Sequence, residues 1–304
     1  MQIGVSMKKK TIYKIACCLT AGFLLCSCGK KEEALDRPYS FTERSFPVEL
    51  TDSTDGYASL FASDLCVVTD ESQYSPSDTT SEAAGLFDIT DGQVMYSKNA
   101  FERLYPASIT KVMTALLTLE HGNMDDEITL KHDINLTEDG AVISTLTKGD
   151  TVTVSQVFHT MLIKSANDCA VILAEYVAGS EAKFIDMMNE RAKELGATHT
   201  HFVNPNGLHN NDHYTTAYDL YLIFKEAVKH EEFVDTVSSK DYTMTYTTAK
   251  KTQINEYMQS TNYYLLNEFP VPEGVVMYGG KTGTTSMAKS CLILMTKNKK
   301  GERF

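Results

Sequence analysis

The period of the hydrophobic pattern changes twice along the chain, and this order restricts the fold more than any other feature. Strand-like runs come first. Leu65-Cys66-Val67-Val68 is a short apolar run, and residues 83–89 and 93–96 are two more, joined by Asp91-Gly92, a strong hairpin signal. Helical spacing follows. Ile109, Val112, Met113, Leu116 and Leu117 recur at i, i+3, i+4, i+7 and i+8, which puts them on one face. Val157, Phe158, Met161 and Leu162 mark a second helix; Cys169, Ile172, Leu173, Tyr176 and Val177 mark a third, which Gly179 ends. Ser180 is placed to cap a fourth helix that Gly196 stops, and residues 216–229 read as a fifth. After Tyr242 the pattern returns to β and ends in the run 290–296. Strands, then helices, then strands predict an α/β protein of the α+β kind. Its antiparallel sheet is built from both chain ends and flanked by helices, with a helical cluster inserted between them.

The N-terminus reads differently. Lys8, Lys9, Lys10 and Lys14 precede an apolar stretch at 15–25, too short to span a bilayer and of the length of a signal-peptide core. It ends in Leu25-Cys26-Ser27-Cys28, which resembles a bacterial lipobox, cut before a cysteine that carries diacylglycerol. Cys28 is thus the expected lipidation site and membrane anchor, and residues 1–27 the signal peptide. Cleavage would remove four lysines and no acid, moving the net charge from −12 to −16. A surface this acidic repels phosphate, which argues against nucleic acid as a partner. Residues 28–57 are rich in charge, contain Pro38 and Pro47, and follow no helical or strand period. They read as a flexible tether holding the domain 58–304 off a membrane surface. Only Cys66, Cys169 and Cys291 remain beyond it, all in apolar contexts, so buried thiols are expected rather than a disulfide framework.

Three short motifs carry the chemistry: Ser108-Ile109-Thr110-Lys111, Ser165-Ala166-Asn167 and Lys281-Thr282-Gly283. In this order they match the nucleophile, middle and strand motifs of penicillin-binding proteins and class A β-lactamases, with Ala where the middle motif usually has Asp. The first motif is weak alone, since Ser180–Lys183 and Ser286–Lys289 share its spacing. Context separates them. Ser180 is explained as a helix cap and Ser286 sits in a polar turn, whereas Ser108 opens an amphipathic helix, at its positive end. Lys111 lies one turn on, on the same face. A serine hydroxyl needs a nearby base, and lysine serves as one only if burial and neighbouring cations lower its pKa. Lys281 is the candidate second cation. Ser165 and Asn167 flank a helix start, where simple capping is the competing role. Lys281 and Thr282 offer donors to a carboxylate, and Gly283 would let a substrate backbone approach the strand.

With these motifs on the page, the chain resembles the serine-type D-alanyl-D-alanine carboxypeptidases, low-molecular-mass penicillin-binding proteins. The likeness extends to Tyr105-Pro106-Ala107, Asn204-Pro205-Asn206-Gly207-Leu208, Thr216-Ala217-Tyr218-Asp219-Leu220 and Thr261-Asn262. It implies a β-lactamase/transpeptidase-like fold and removal of the terminal D-alanine from peptidoglycan stem peptides, without a cofactor and with β-lactams as inhibitors. It further implies Ser108 as the acyl-enzyme nucleophile, Lys111 as its base and Ser165 as the proton relay to the departing amine. Asn167 would bind the substrate amide, and Lys281 the terminal carboxylate beside Thr282 and Gly283. The N–H groups of Ser108 and Thr284 would form the oxyanion hole. A D,D-endopeptidase acting on cross-links and a catalytically silent peptidoglycan- or β-lactam-binding lipoprotein are the alternatives. A β-lactamase is disfavoured because no E-x-x-L-N segment stands between Asn167 and Lys281.

Two departures and one rival complete the reading. Lys289 follows Ala288 where the family usually has glycine, and its long side chain is expected to crowd the sheet edge. Residues 297–301 read as a turn from which 302–304 begin a returning strand. Relatives continue with that strand and a closing helix, so a few dozen C-terminal residues are expected to be missing. His199, His201, His209 and His213 have spacings that a zinc site could use, but Asn210-Asn211-Asp212 places the last pair in a loop. No metal site is expected, and these histidines are read as loop and surface residues. If Cys28 carries the anchor, Cys28→Ser should shift the protein to the soluble fraction or leave it unprocessed, as fractionation of exporting cells would register.

Overall fold

The computed structural model describes residues 65–68, 79–136, 138 and 141–304. The expected signal peptide, tether and Cys28 lie outside these residues. The first hairpin forms as anticipated, with β1 (Ala84–Asp88) antiparallel to β2 (Gln93–Lys98). Its turn is closed by Asp88, whose Oδ1 accepts the N–H groups of Thr90 and Asp91. Leu65-Cys66-Val67-Val68 forms no strand. Tyrosines hold it instead: Cys66 N donates to Tyr221 Oη at 2.9 Å, and Tyr218 Oη donates to Cys66 O at 2.9 Å.

A 3₁₀ turn (Ala107–Thr110) leads into α1 (Lys111–His121), of which residues 111–118 are all buried. Burying the side chains of Val112, Met113, Leu116 and Leu117 is worth about 1.5–3 kcal/mol each. α1 packs against α3 (Asn167–Ala178) and α5 (Ala217–Ala227). α2 (Val154–Ile163) begins with a capping box, Thr153 and Gln156 bonding each other's backbone N–H. α4 (Glu181–Glu194) is capped by Ser180 as expected, and Gly179 ends α3 in a left-handed conformation. The helix α6 (Glu231–Ser238) has no counterpart in the sequence reading; eight residues give too few turns for a clear period.

The β regions are arranged less simply than one sheet. β3 (Glu127–Thr129), β4 (Thr151–Thr153), β5 (Asp241–Thr247) and β6 (Gln253–Gln259) form their own four-stranded sheet in that order. β7 (Val275–Thr285) and β8 (Lys289–Asn298) form a long antiparallel ladder. The two chain ends do meet, but through the last residues. Thr296 and Phe304 exchange backbone hydrogen bonds, Ile89 N donates to Arg303 O at 3.0 Å, and Arg303 N donates to Thr90 Oγ1 at 2.8 Å. The returning segment 302–304 thus connects the first hairpin to the last.

Lys289 does not crowd the sheet. Its side chain is exposed and pairs with Glu82 at 3.2 Å. The strain is in the backbone, where φ is +58°, a left-handed value unfavourable for a side chain with a Cβ. An exposed ion pair contributes little, so Lys289→Gly should raise stability by about 0.5–1 kcal/mol, and calorimetry should show a higher melting temperature.

Candidate active site

The three motifs converge. Ser108 lies in the 3₁₀ turn, half-buried, and Lys111 opens α1 with no exposed surface. Lys111 Nζ is 2.8 Å from Ser108 Oγ, 2.8 Å from Asn167 Oδ1 and 2.6 Å from Asn206 O. Two of these neighbours only accept. A neutral amine has two N–H groups and one lone pair, so donation to Asn167 and Asn206 leaves the lone pair facing the serine hydroxyl. The environment favours that neutral form. Burial lowers the Lys111 pKa well below the ordinary lysine value, and the nearby Lys281 lowers it further.

Ser165 and Asn167 reach the site from the α2–α3 junction. Neither caps α3, for Ala166 occupies the cap position without a side-chain bond. Asn167 instead bridges Lys111 and the carbonyl of Val142, to which its Nδ2 donates at 3.0 Å. Ser165 has φ of +66°, a strained value for a residue with a side chain, and its Oγ accepts from Lys281 Nζ at 2.9 Å. Lys281 is 1% exposed, also donates to Thr282 O, and has its pKa lowered by burial to about 7.

β7 supplies the remaining wall. Thr282 Oγ1 lies 2.5 Å from Thr261 Oγ1, and Thr284 is exposed on the strand. Gly283 has a sharper reason than access for substrate. A Cβ there would fall 2.8 Å from the backbone nitrogen of Ser108, so only glycine lets the strand close against the 3₁₀ turn that carries Ser108.

The family model of D-alanyl-D-alanine carboxypeptidases (Peptidase_S11) matches residues 69–303. The chain belongs to this family. It is 37% identical over 223 residues to the D-alanyl-D-alanine carboxypeptidase DacF of Bacillus subtilis, covering 71% of this chain and 54% of that one. With DacC of Escherichia coli it shares 34% over 212 residues, 67% of this chain and 50% of the relative. The chain therefore spans about half the length of these two curated relatives. Among solved structures, the Streptomyces K15 DD-transpeptidase superposes with a TM-score of 0.64 at 28% identity, over 73% of this chain and 86% of that one. The fold is the β-lactamase/transpeptidase-like one expected.

Several groups that shape this carboxypeptidase-family site are absent from the three motifs. The Asn206 carbonyl holds Lys111, and the Pro205 carbonyl accepts from Thr114 Oγ1 at 2.5 Å. Asp168 is buried and accepts from Ser144 N and Oγ, which anchors the loop carrying Val142. The family-like segment 204–208 contains Asn206 but assigns it no role, because its main-chain carbonyl does the work. His213 is not a surface residue either. It is 2% exposed and bonds through both ring nitrogens, to Thr110 Oγ1 and Val203 N, which leaves neither for a metal. Among the described residues no group of three or more potential ligands is placed to hold a metal ion.

Glu256 of β6 clamps this region from the second sheet. It accepts from Lys164 Nζ at 2.5 Å and from Thr145 N and Oγ1 at 3.1 and 2.5 Å. Burial alone would raise its pKa, but these bonds hold it below the usual carboxylate value. Glu256→Gln should cost about 1–3 kcal/mol near neutral pH in thermal unfolding. Because the folded pKa is depressed, that difference should persist above the ordinary carboxylate pKa and vanish as pH falls through the folded value.

Proposed function

We propose that the chain is a serine-type D-alanyl-D-alanine carboxypeptidase acting on the stem peptides of peptidoglycan. The observation that carries this reading is the buried Lys111 amine, 2.8 Å from Ser108 Oγ, with acceptors at its two other contacts. Ser108 Oγ attacks the carbonyl of the penultimate D-alanine as its proton passes to Lys111 Nζ. The oxyanion forms against the N–H groups of Ser108 and Thr284. The proton taken up by Lys111 is relayed through the hydroxyl of Ser165, hydrogen-bonded to Lys281, to the departing D-alanine nitrogen as the C–N bond breaks. Lys281 and Thr282 face the terminal carboxylate, and the second N–H of Asn167 Nδ2 is available to the peptide. Water then adds to the ester carbonyl, and Ser108 Oγ leaves with its proton restored. β-Lactams would acylate the same oxygen.

Such substrates lie outside the cytoplasmic membrane. We place the protein there, exported and anchored by a lipid on Cys28, with residues 28–57 as its tether. The lipobox-like sequence and the charged, Pro-containing stretch after it support this placement.

Ser108→Ala should abolish labelling by fluorescent penicillin and D-alanine release from diacetyl-Lys-D-Ala-D-Ala; retained labelling would move the nucleophile elsewhere. Lys111→Arg should be nearly as damaging, since a guanidinium keeps its proton. In the wild type, acylation should quicken as pH rises through the lowered Lys111 pKa. An acylation rate in Lys111→Arg equal to that of the wild type would remove Lys111 as the base.

A further inference from the structure

The imidazole of His213 lies behind the nucleophile turn and belongs to none of the three motifs. Its Nδ1 accepts the Val203 N–H at 3.1 Å, so the proton of the neutral ring is on Nε2. That Nε2–H donates to Thr110 Oγ1 at 2.8 Å, and the Thr110 hydroxyl donates to the Ala107 carbonyl at 2.8 Å. The relay therefore has backbone at both ends, the Val203 amide and the carbonyl that directly precedes Ser108.

Both ends bear on the chemistry. Ala107 has φ of +48°, so the turn that presents Ser108 is held in a left-handed conformation that needs support. Gly207 closes against the same carbonyl, where a Cβ would fall only 1.9 Å from Ala107 O. The residue before it, Asn206, offers its carbonyl to Lys111. One loop thus holds the amine while touching the turn that holds the hydroxyl, and His213 is bonded to both. Burial, with His201, His209 and Lys111 nearby, lowers the His213 pKa to about 3, which keeps the ring neutral and its donor in place.

We propose that His213 is a positioning residue which, through Thr110, fixes the Ala107–Ser108 peptide against the Asn206–Gly207 loop and so sets the approach of Ser108 Oγ to Lys111 Nζ. This rests on the reading of Ser108 as nucleophile and Lys111 as base. If the ring served only to fill space, an aromatic hydrocarbon on its neighbour Phe202 would suffice.

The test is the kinetics of acylation by fluorescent penicillin, resolved into non-covalent binding and the covalent step. His213→Phe keeps the aromatic volume and removes the donor; it should slow the covalent step about 10–100-fold and leave the binding constant within about twofold. Thr110→Val should do the same, and the double variant should be no slower than the slower single one. His213→Gln, with an amide donor, and Thr110→Ser should each recover most of the rate. Wild-type covalent rates in His213→Phe or Thr110→Val, or losses that multiply in the double variant, would overturn the proposal. Should His213→Phe fail to fold, Thr110→Val with its Thr110→Ser rescue decides alone. Loss of labelling in Ser108→Ala alongside wild-type rates in these variants overturns the positioning role only. Labelling that survives in Ser108→Ala overturns the nucleophile reading and this proposal with it.

Discussion

An amine with no exposed surface is the constraint around which this molecule is organised. A lysine ammonium in an apolar interior is so unfavourable that the group either finds partners or gives up its charge. Lys111 does both, held by two acceptors and pressed toward neutrality by its burial and then by Lys281. Each neighbour comes from a different part of the chain: Ser108 from the 3₁₀ turn, Asn167 from the start of α3, Asn206 from the loop before α5. Removing any one of them would leave the amine with a geometry suited to something other than a serine hydroxyl.

Much of this was legible in the sequence. The 3.6-residue period located α1 and α3, and the three motifs named Ser108, Lys111, Ser165, Asn167 and Lys281 before any coordinate was known. What escaped was of two kinds. The Asn206 carbonyl lies in a segment that the resemblance singled out, but its bond to Lys111 was not legible there, because any residue supplies a carbonyl. His213 escaped because spacing among histidines points to metal or surface, while its role depends on hydrogen bonds to residues 103 and 10 positions away. β3 and β4 were missed for a simpler reason: three residues each are too few to show a period.

Packing changed what two positions mean. Lys289 was expected to crowd an edge, yet its side chain turns to solvent and the strain is taken up by φ. Gly283 was read as room for substrate, and its missing Cβ also makes room for Ser108 N. In both cases composition identified the position and tertiary packing decided its meaning. The second sheet makes the same point at a larger scale. Its strand β6 carries Glu256, which reaches across to Lys164 beside Ser165.

The strand β7 also has a consequence for how the protein becomes active. Ser108 and Lys111 are three residues apart and lie within one turn of each other. Lys281 meets Ser165 across a sequence separation of 116 positions, and among the described residues β7 pairs with β8 and packs against the 3₁₀ turn and α6. Contacts of such separation carry a large loop-closure entropy and form after local ones. Individual helices therefore form before the cleft, and helical content alone is no sign that Lys281 has met Ser165.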